Sequence, residues 1–206
     1  MSEISLPKCL VTLNHNLLCA LDLETTGLVA GYHEIVQICI LPLDGDLNPV
    51  DEISPFYMNM CPLHPERIDP YAMKVNGLDP KHLATCPEPH QVAEVLEDWF
   101  QGLELPQNKR LAYLTQNAPF DIPFMRLWLG HKGFDRYFMR RGRDTMFLAQ
   151  GYNDAAAFQG KPVPFGTVSL RGLCNKLGIQ LDNHHDALAD CVATAKVYKE
   201  LLRFEI

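Results

Sequence analysis

The sequence predicts an α/β fold: one domain, residues 1–206, built on a mixed β-sheet with helices on both faces. Three observations carry this. Three apolar segments follow closely in the first third of the chain, joined by tight turns, as in an antiparallel meander. Helical and extended patterns alternate after them. The 206 residues, 47% apolar and 21% charged, can bury a sizeable core within one domain.

The elements follow in order. Leu17–Leu23 is apolar enough for a buried strand. Glu34–Leu43 and Ile53–Met60 read as the next two strands, with the turn residues Asp44-Gly45-Asp46 between them. Glu88–Phe100 repeats Val92, Val95, Leu96 and Trp99 at helical spacing. Arg110–Thr115 is a short strand, Phe120–Leu129 a helix and Asp144–Ala149 a last strand. Residues 151–168 hold Gly, Pro and Asn and read as a long loop, a lid or a partner-binding segment. Ser169–Leu177 and Ala187–Leu202 read as closing helices. No internal repeat or low-complexity tract interrupts them.

Bulk properties narrow the function. No apolar run approaches the ~18–20 residues of a membrane span, and Met1–Lys8 lacks the pattern of a secretory segment. Seven cysteines, an odd number without a C-x-x-C pair, favour reduced thiols in a cytoplasmic setting over a disulfide framework or a thiolate metal site. The formal net charge of −7 argues against a protein that grips long duplex DNA, whose affinity comes from basic residues. A nucleic-acid partner would be held over a short stretch, or bound cations would cancel part of the charge.

Three constellations carry chemistry. In Leu21-Asp22-Leu23-Glu24-Thr25-Thr26-Gly27, strand alternation puts Asp22 and Glu24 on one face. Mg²⁺ or Mn²⁺, hard cations that prefer carboxylate oxygen, would relieve their repulsion. Alone, the pattern also describes a solvated strand end. In Gln116-Asn117-Ala118-Pro119-Phe120-Asp121, the prolines put Asp121 near a helix start. Asp121 shares a stripe with Phe124, Met125 and Trp128, and a carboxylate there needs a partner. A helix cap, by Asn117 or Asp121, is the structural alternative. In Asn183-His184-His185-Asp186-Ala187-Leu188-Ala189-Asp190, the helical wheel turns Asp190 away from Lys196, Lys199, Glu200 and Arg203. Asp186 is suited to cap the helix. His185 lies five residues before Asp190, just outside the helix, where an imidazole can reach a fixed carboxylate.

Four acids ill-suited to a core (Asp22, Glu24, Asp121, Asp190) and a loop histidine thus occur in order. Four carboxylates suit two hard cations about 3.5–4 Å apart, which clamp a phosphodiester during in-line displacement. A histidine with a pKa near ~6.5 can accept the proton of the attacking water.

D-L-E-T-T-G-L, N-x-x-F-D and H-D-A-L-x-D, in this order, resemble the three signature motifs of the DEDDh (DnaQ-like) 3′–5′ exonucleases. The likeness runs from about Leu17 to Tyr198. It includes Glu34-Ile35-Val36-Gln37-Ile38, and Ser169-Leu170 through Leu177-Gly178-Ile179. It implies a ribonuclease H-like fold, with a five-stranded mixed sheet whose first three strands are antiparallel. It makes Asp22, Glu24, Asp121 and Asp190 ligands of two Mg²⁺ (or Mn²⁺) ions, Glu24 being counted with His185 among the catalytic residues. By the same resemblance His185 matches the general base and His184 does not, and Leu28 matches the wedge beside the terminal base. Thr25 and Thr26 fall where the family's backbone and hydroxyl groups meet the 3′ end, and Asn117 matches the asparagine that orients the second motif. Many relatives carry His-Gly-Ile-Thr after the third strand. Here Val75-Asn76-Gly77-Leu78-Asp79-Pro80 is closer to the ribonuclease T branch, which adds Asn76 to the substrate-binding set and leaves the preferred sugar open.

The implied activity is release of nucleoside 5′-monophosphates from single-stranded DNA 3′ ends. The alternatives are an exoribonuclease trimming RNA ends, or a module docked on a polymerase or repair protein. Arg140, Arg141 and Arg143 are candidate phosphate contacts or a solvated turn. Tyr113, Phe120, Phe124 and Trp128 read as core rather than as a base-stacking surface.

Overall fold

The computed structural model describes residues 17–105, 109–181 and 185–205. One five-stranded sheet organises them, in the order β3-β2-β1-β4-β5. The strands are β1 (Leu17–Thr25), β2 (Ile35–Leu43), β3 (Phe56–Asn59), β4 (Leu111–Thr115) and β5 (Arg143–Asp144). The first three pair antiparallel; β4 runs parallel to β1, and β5 parallel to β4. Seven α-helices accompany them among the described residues: α1 (Pro70–Asn76), α2 (Pro80–Leu83), α3 (Pro89–Gly102), α4 (Ala118–Tyr137), α5 (Thr145–Phe158), α6 (Leu170–Leu177) and α7 (Ala187–Leu202). The described cysteines are unbridged. No described helix is long and apolar enough to cross a membrane.

Alternation along β1 divides the molecule. Leu17, Cys19, Leu21 and Leu23 enter a core with Val92, Leu96 and Phe100 of α3 and with Phe124, Met125 and Phe134 of α4. Leu18 and Ala20 enter a second core with Ala187, Cys191, Ala195 and Tyr198 of α7. Asp22 and Glu24 continue this second row, so both carboxylates leave the strand on the α7 side. A bulge between Glu24 and Thr25 ends the regular pairing with β2. Helices α5 and α6 pack against α7 through Ala149, Leu173, Ala193, Val197 and Leu201.

The structure corrects several sequence expectations. Asp144–Ala149 is not a strand: β5 stops at Asp144, whose side chain accepts the Phe147 amide and starts α5. The apolar run Met146-Phe147-Leu148 suits either element, and the N-cap selects helix. Most of the first half of the expected 151–168 loop is therefore helical. Only 159–168 is irregular, tied back where Asn153 exchanges two hydrogen bonds with the Phe165 backbone (2.8 and 2.9 Å). Helices α1 and α2 were not expected. Each begins at an Asp-Pro pair, with Asp69 or Asp79 as N-cap and proline in the first turn, and Gly77 ends α1 at φ 68°. Helix α4 continues beyond Leu129 only across a kink at Gly130 (φ 69°, ψ 158°), so the expected end coincides with a real break.

Candidate active site

The site lies beyond the carboxyl end of β1, where β1 stands between antiparallel β2 and parallel β4. Open α/β sheets bind ligands at such ends. Four elements supply the side chains. β1 carries Asp22 and Glu24. The strand β4 turns into α4 and brings Asp121. Helix α7 brings Asp190, and the turn before it brings His185. A cleft of about 550 Å³ is lined by all five, together with Thr25, Leu28, Asn76 and Asn117. The structure thus brings together every predicted site residue except Thr26.

The acids sit deep. Glu24, Asp121 and Asp190 are buried, while Asp22 is half-buried. Burial and the neighbouring charges of Asp190, Asp121 and Asp186 push the Glu24 carboxyl up to about 8. Burial, then Asp121, Asp190 and Glu24, hold Asp22 well above the usual carboxylate range. Burial likewise raises Asp121, with backbone hydrogen bonds at Asp121 and Leu23 pulling the other way. No lysine or arginine is among the described lining residues. Such a carboxylate set fits a hard divalent cation, because cation charge is what would let the acids ionise together. Ligand atoms of Glu24, His185 and Asp190 already lie within 4.8 Å of one another.

The supporting residues have distinct tasks. The His185 amide donates to Asp190 Oδ2 (3.3 Å), and His185 has a left-handed backbone (φ 72°). Asp186 is the expected N-cap of α7: its Oδ1 accepts from Leu188 (3.2 Å) and Ala189 (3.0 Å). Thr25 Oγ1 donates to the Gly27 carbonyl (2.7 Å). Thr26 is fully buried and its Oγ1 accepts the Glu34 amide (2.9 Å), so its side chain pins the turn rather than facing the cleft. Leu28, at the tip of that turn, is 76% exposed. Asn76 donates to the Thr25 carbonyl (3.3 Å) and accepts from the Leu78 amide (3.0 Å), supporting the same turn from α1.

Asn117 caps nothing with its side chain. It adopts φ 75°, and Asp144 accepts the Ala118 amide instead (2.6 Å). Sequence reasoning missed Asp144, whose signal was an aspartate two residues before the apolar run Met146-Phe147-Leu148. Arg140 is engaged by Asp135 (2.9 Å), and none of Arg140, Arg141 and Arg143 lines the cleft. Tyr113 and Phe124 are core as expected, while Phe120 adds an apolar wall to the cleft. His184 lies outside the described residues.

A mixed sheet that gathers four carboxylates at the end of its central strand is a frame for cation-assisted phosphodiester chemistry. The chain belongs to the exonuclease family: the family model described as exonuclease, of ribonuclease T type, matches residues 19–198. DNA polymerase III subunit epsilon of Pasteurella multocida (strain Pm70) is 30% identical over 186 residues, 86% of this chain and 65% of that protein. Ribonuclease T of Buchnera aphidicola subsp. Acyrthosiphon pisum (strain APS) is 25% identical over 187 residues, 88% of this chain and 80% of that protein. Among solved structures, E. coli Exonuclease I in complex with a dT13 oligonucleotide is similar at a TM-score of 0.70 and 20% identity, over 91% of this chain and 41% of that one. The nuclease domain of 3′hExo, a DEDDh family member bound to rAMP, is similar at 0.64 and 17% identity, over 91% and 92%. The fold is accordingly the ribonuclease H-like fold of these exonucleases.

Proposed function

We propose that the chain is a divalent-metal-dependent 3′–5′ exonuclease that removes nucleoside 5′-monophosphates from single-stranded DNA ends. The observation that carries this is the meeting of Asp22, Glu24, Asp121 and Asp190 in one cleft with no lysine or arginine among its described lining residues to balance them. These four acids would hold two Mg²⁺ or Mn²⁺ ions, which when bound supply charge stabilisation to the scissile phosphate. The chain's own residues do the rest. Leu28 packs against the terminal base, and Phe120 adds a second apolar group to the lining of the cleft. The turn Thr25–Gly27, braced by Asn76 and by the buried Thr26 hydroxyl, presents backbone to the 3′ end. Asp144, accepting the Ala118 amide, supports the first turn of α4 and with it Asp121, and Asn117 contributes its backbone carbonyl, which accepts the Phe120 amide (2.8 Å). His185, neutral, takes a proton from the attacking water at an imidazole nitrogen. It is then close enough to the Asp190 and Glu24 carboxylates for its positive charge to be stabilised.

The resemblance to a polymerase III epsilon subunit supports DNA, and with it recruitment by a polymerase or repair protein. One observation favours a second reading, trimming of RNA ends: the Asn76-Gly77 turn together with the likeness to ribonuclease T. Both Asn76 polar groups are spent on backbone, which leaves sugar choice to other lining groups. The test is digestion of 5′-labelled single-stranded DNA, duplex DNA and RNA, each with Mg²⁺ or EDTA. Fastest shortening of single-stranded DNA, in Mg²⁺ only, is expected. Faster RNA trimming would select the second reading, and no shortening of any substrate would sink both.

A further inference from the structure

His185 must be held in a conformation that a histidine resists. Its φ of 72° lies in the left-handed region, disfavoured for a residue with a Cβ. Such strain persists only where the surroundings over-determine it, so the groups that fix the next residues act on the imidazole's position. Asp186 Oδ1 is taken by the first turn of α7. Asp186 Oδ2 is taken from across the sheet: Tyr57 Oη of β3 donates to it at 2.5 Å. Gln37 of β2, buried in the second core, ties the set together. Its Nε2 donates to Tyr57 Oη (3.1 Å) and Asn59 Oδ1 (2.9 Å), while its Oε1 accepts the Ala187 amide (2.8 Å). The register places these groups side by side, with Tyr57 opposite Cys39 and Asn59 opposite Gln37, so all project toward α7. Tyr57 itself does not line the cleft.

We propose that Tyr57 is a positioning residue for His185: through Asp186, and braced by Gln37, it locks the turn that aims the imidazole at the attacking water. The role rests on His185 being the base. It assigns to the edge strand β3, which contributes nothing to the carboxylate cluster, a task in the chemical step. Loss of Tyr57 Oη frees one side of Asp186 while its cap survives, so the turn loosens and α7 does not. The effect falls on kcat, because the terminal nucleotide is held by other groups.

The experiment compares wild type, Tyr57→Phe, Asp186→Ser, the double variant and His185→Ala on a short 5′-labelled single-stranded oligonucleotide in Mg²⁺. Serine keeps a capping oxygen but cannot reach Tyr57. Tyr57→Phe is expected to lower kcat roughly tenfold, the equivalent of ~1.4 kcal/mol in the barrier, with KM unchanged. The double variant should be no slower than Asp186→Ser, because the two changes break one link. Amide hydrogen exchange at 185–187 should quicken in Tyr57→Phe while the rest of α7 is unaltered. Wild-type kcat in Tyr57→Phe, or a loss that adds in full to that of Asp186→Ser, overturns the proposal. Unchanged exchange at 185–187 also overturns it, even should Asp186→Ser fail to fold. Wild-type kcat in His185→Ala would instead remove the base assignment, and the proposal with it.

Discussion

Replacing Glu24 by glutamine should make the metal-free protein more stable at pH 8 while abolishing its activity. Glu24 is buried among other acids, and its carboxyl is raised from 4.5 to about 8. The sign follows from linkage. A carboxyl raised on folding contributes stability that is complete below its unfolded pKa and is lost as pH climbs through its folded one. Between pH 5 and pH 8, in EDTA, the Glu24 contribution alone should fall by about 3.5 kcal/mol, at ~1.4 kcal/mol per unit for one proton. For a chain of this size that is a Tm decrease of roughly 10 °C. Asp22 and Asp121 are raised as well and act in the same direction. Glu66, Glu97 and Asp135 are lowered, so their transitions finish below pH 5 and leave this window clear. The assay is thermal unfolding of wild type and Glu24→Gln in EDTA at half-unit steps. The variant should match wild type near pH 5 and exceed it progressively toward pH 8. A wild-type Tm that is flat or rising over this window, or a Glu24→Gln curve parallel to wild type, would refute the reasoning.

Adding Mn²⁺ at pH 7 should release protons from the raised carboxyls, about one per chain of them from Glu24 and the rest from Asp22 and Asp121. Calorimetry in buffers of different ionisation enthalpy reads this number, which should fall by about one in Glu24→Gln. Asp144→Ala removes the acceptor for both the Ala118 and Phe147 amides. It should cost roughly 2–3 kcal/mol in chemical denaturation and lower activity by loosening the turn that carries Asp121. Leu28→Ala, at a 76% exposed tip, should leave Tm unchanged and raise KM several-fold in steady-state assays. Gly27→Ala would put a Cβ 2.4 Å from the His33 ring and should displace that tip, raising KM further and lowering Tm.

The parts of the fold legible in the sequence are those where one period dominates. The buried strands, α3 and α7 announce themselves, and the wheel that turned Asp190 inward agrees with its burial. Legibility failed where an apolar run suits two elements and only a cap decides, as at Asp144, and where helices are too short to show a period. Helices α1 and α2 have seven and four residues, and only their Asp-Pro starts betray them. The acids of the site were legible because carboxylates on apolar faces are costly and therefore conspicuous. The residues that brace them were not. Tyr57 lies 129 positions from Asp186, and no local pattern links the two. Thr26 and Asn76 read as substrate contacts in the sequence; in the structure Asn76 lines the cleft and Thr26 does not, and the side chains of both also hold backbone groups of the turn, a distinction that needs coordinates.

The most direct measurement follows one single-stranded DNA oligonucleotide carrying different labels at its two ends. With Mg²⁺, the 3′ label should appear at once as a mononucleotide, while the 5′ label passes through a descending ladder. EDTA, or Asp22→Ala in place of wild type, should leave both labels on full-length strand. Internal cuts, mononucleotide release from the 5′ end, or equal digestion in EDTA would contradict a metal-dependent 3′–5′ exonuclease.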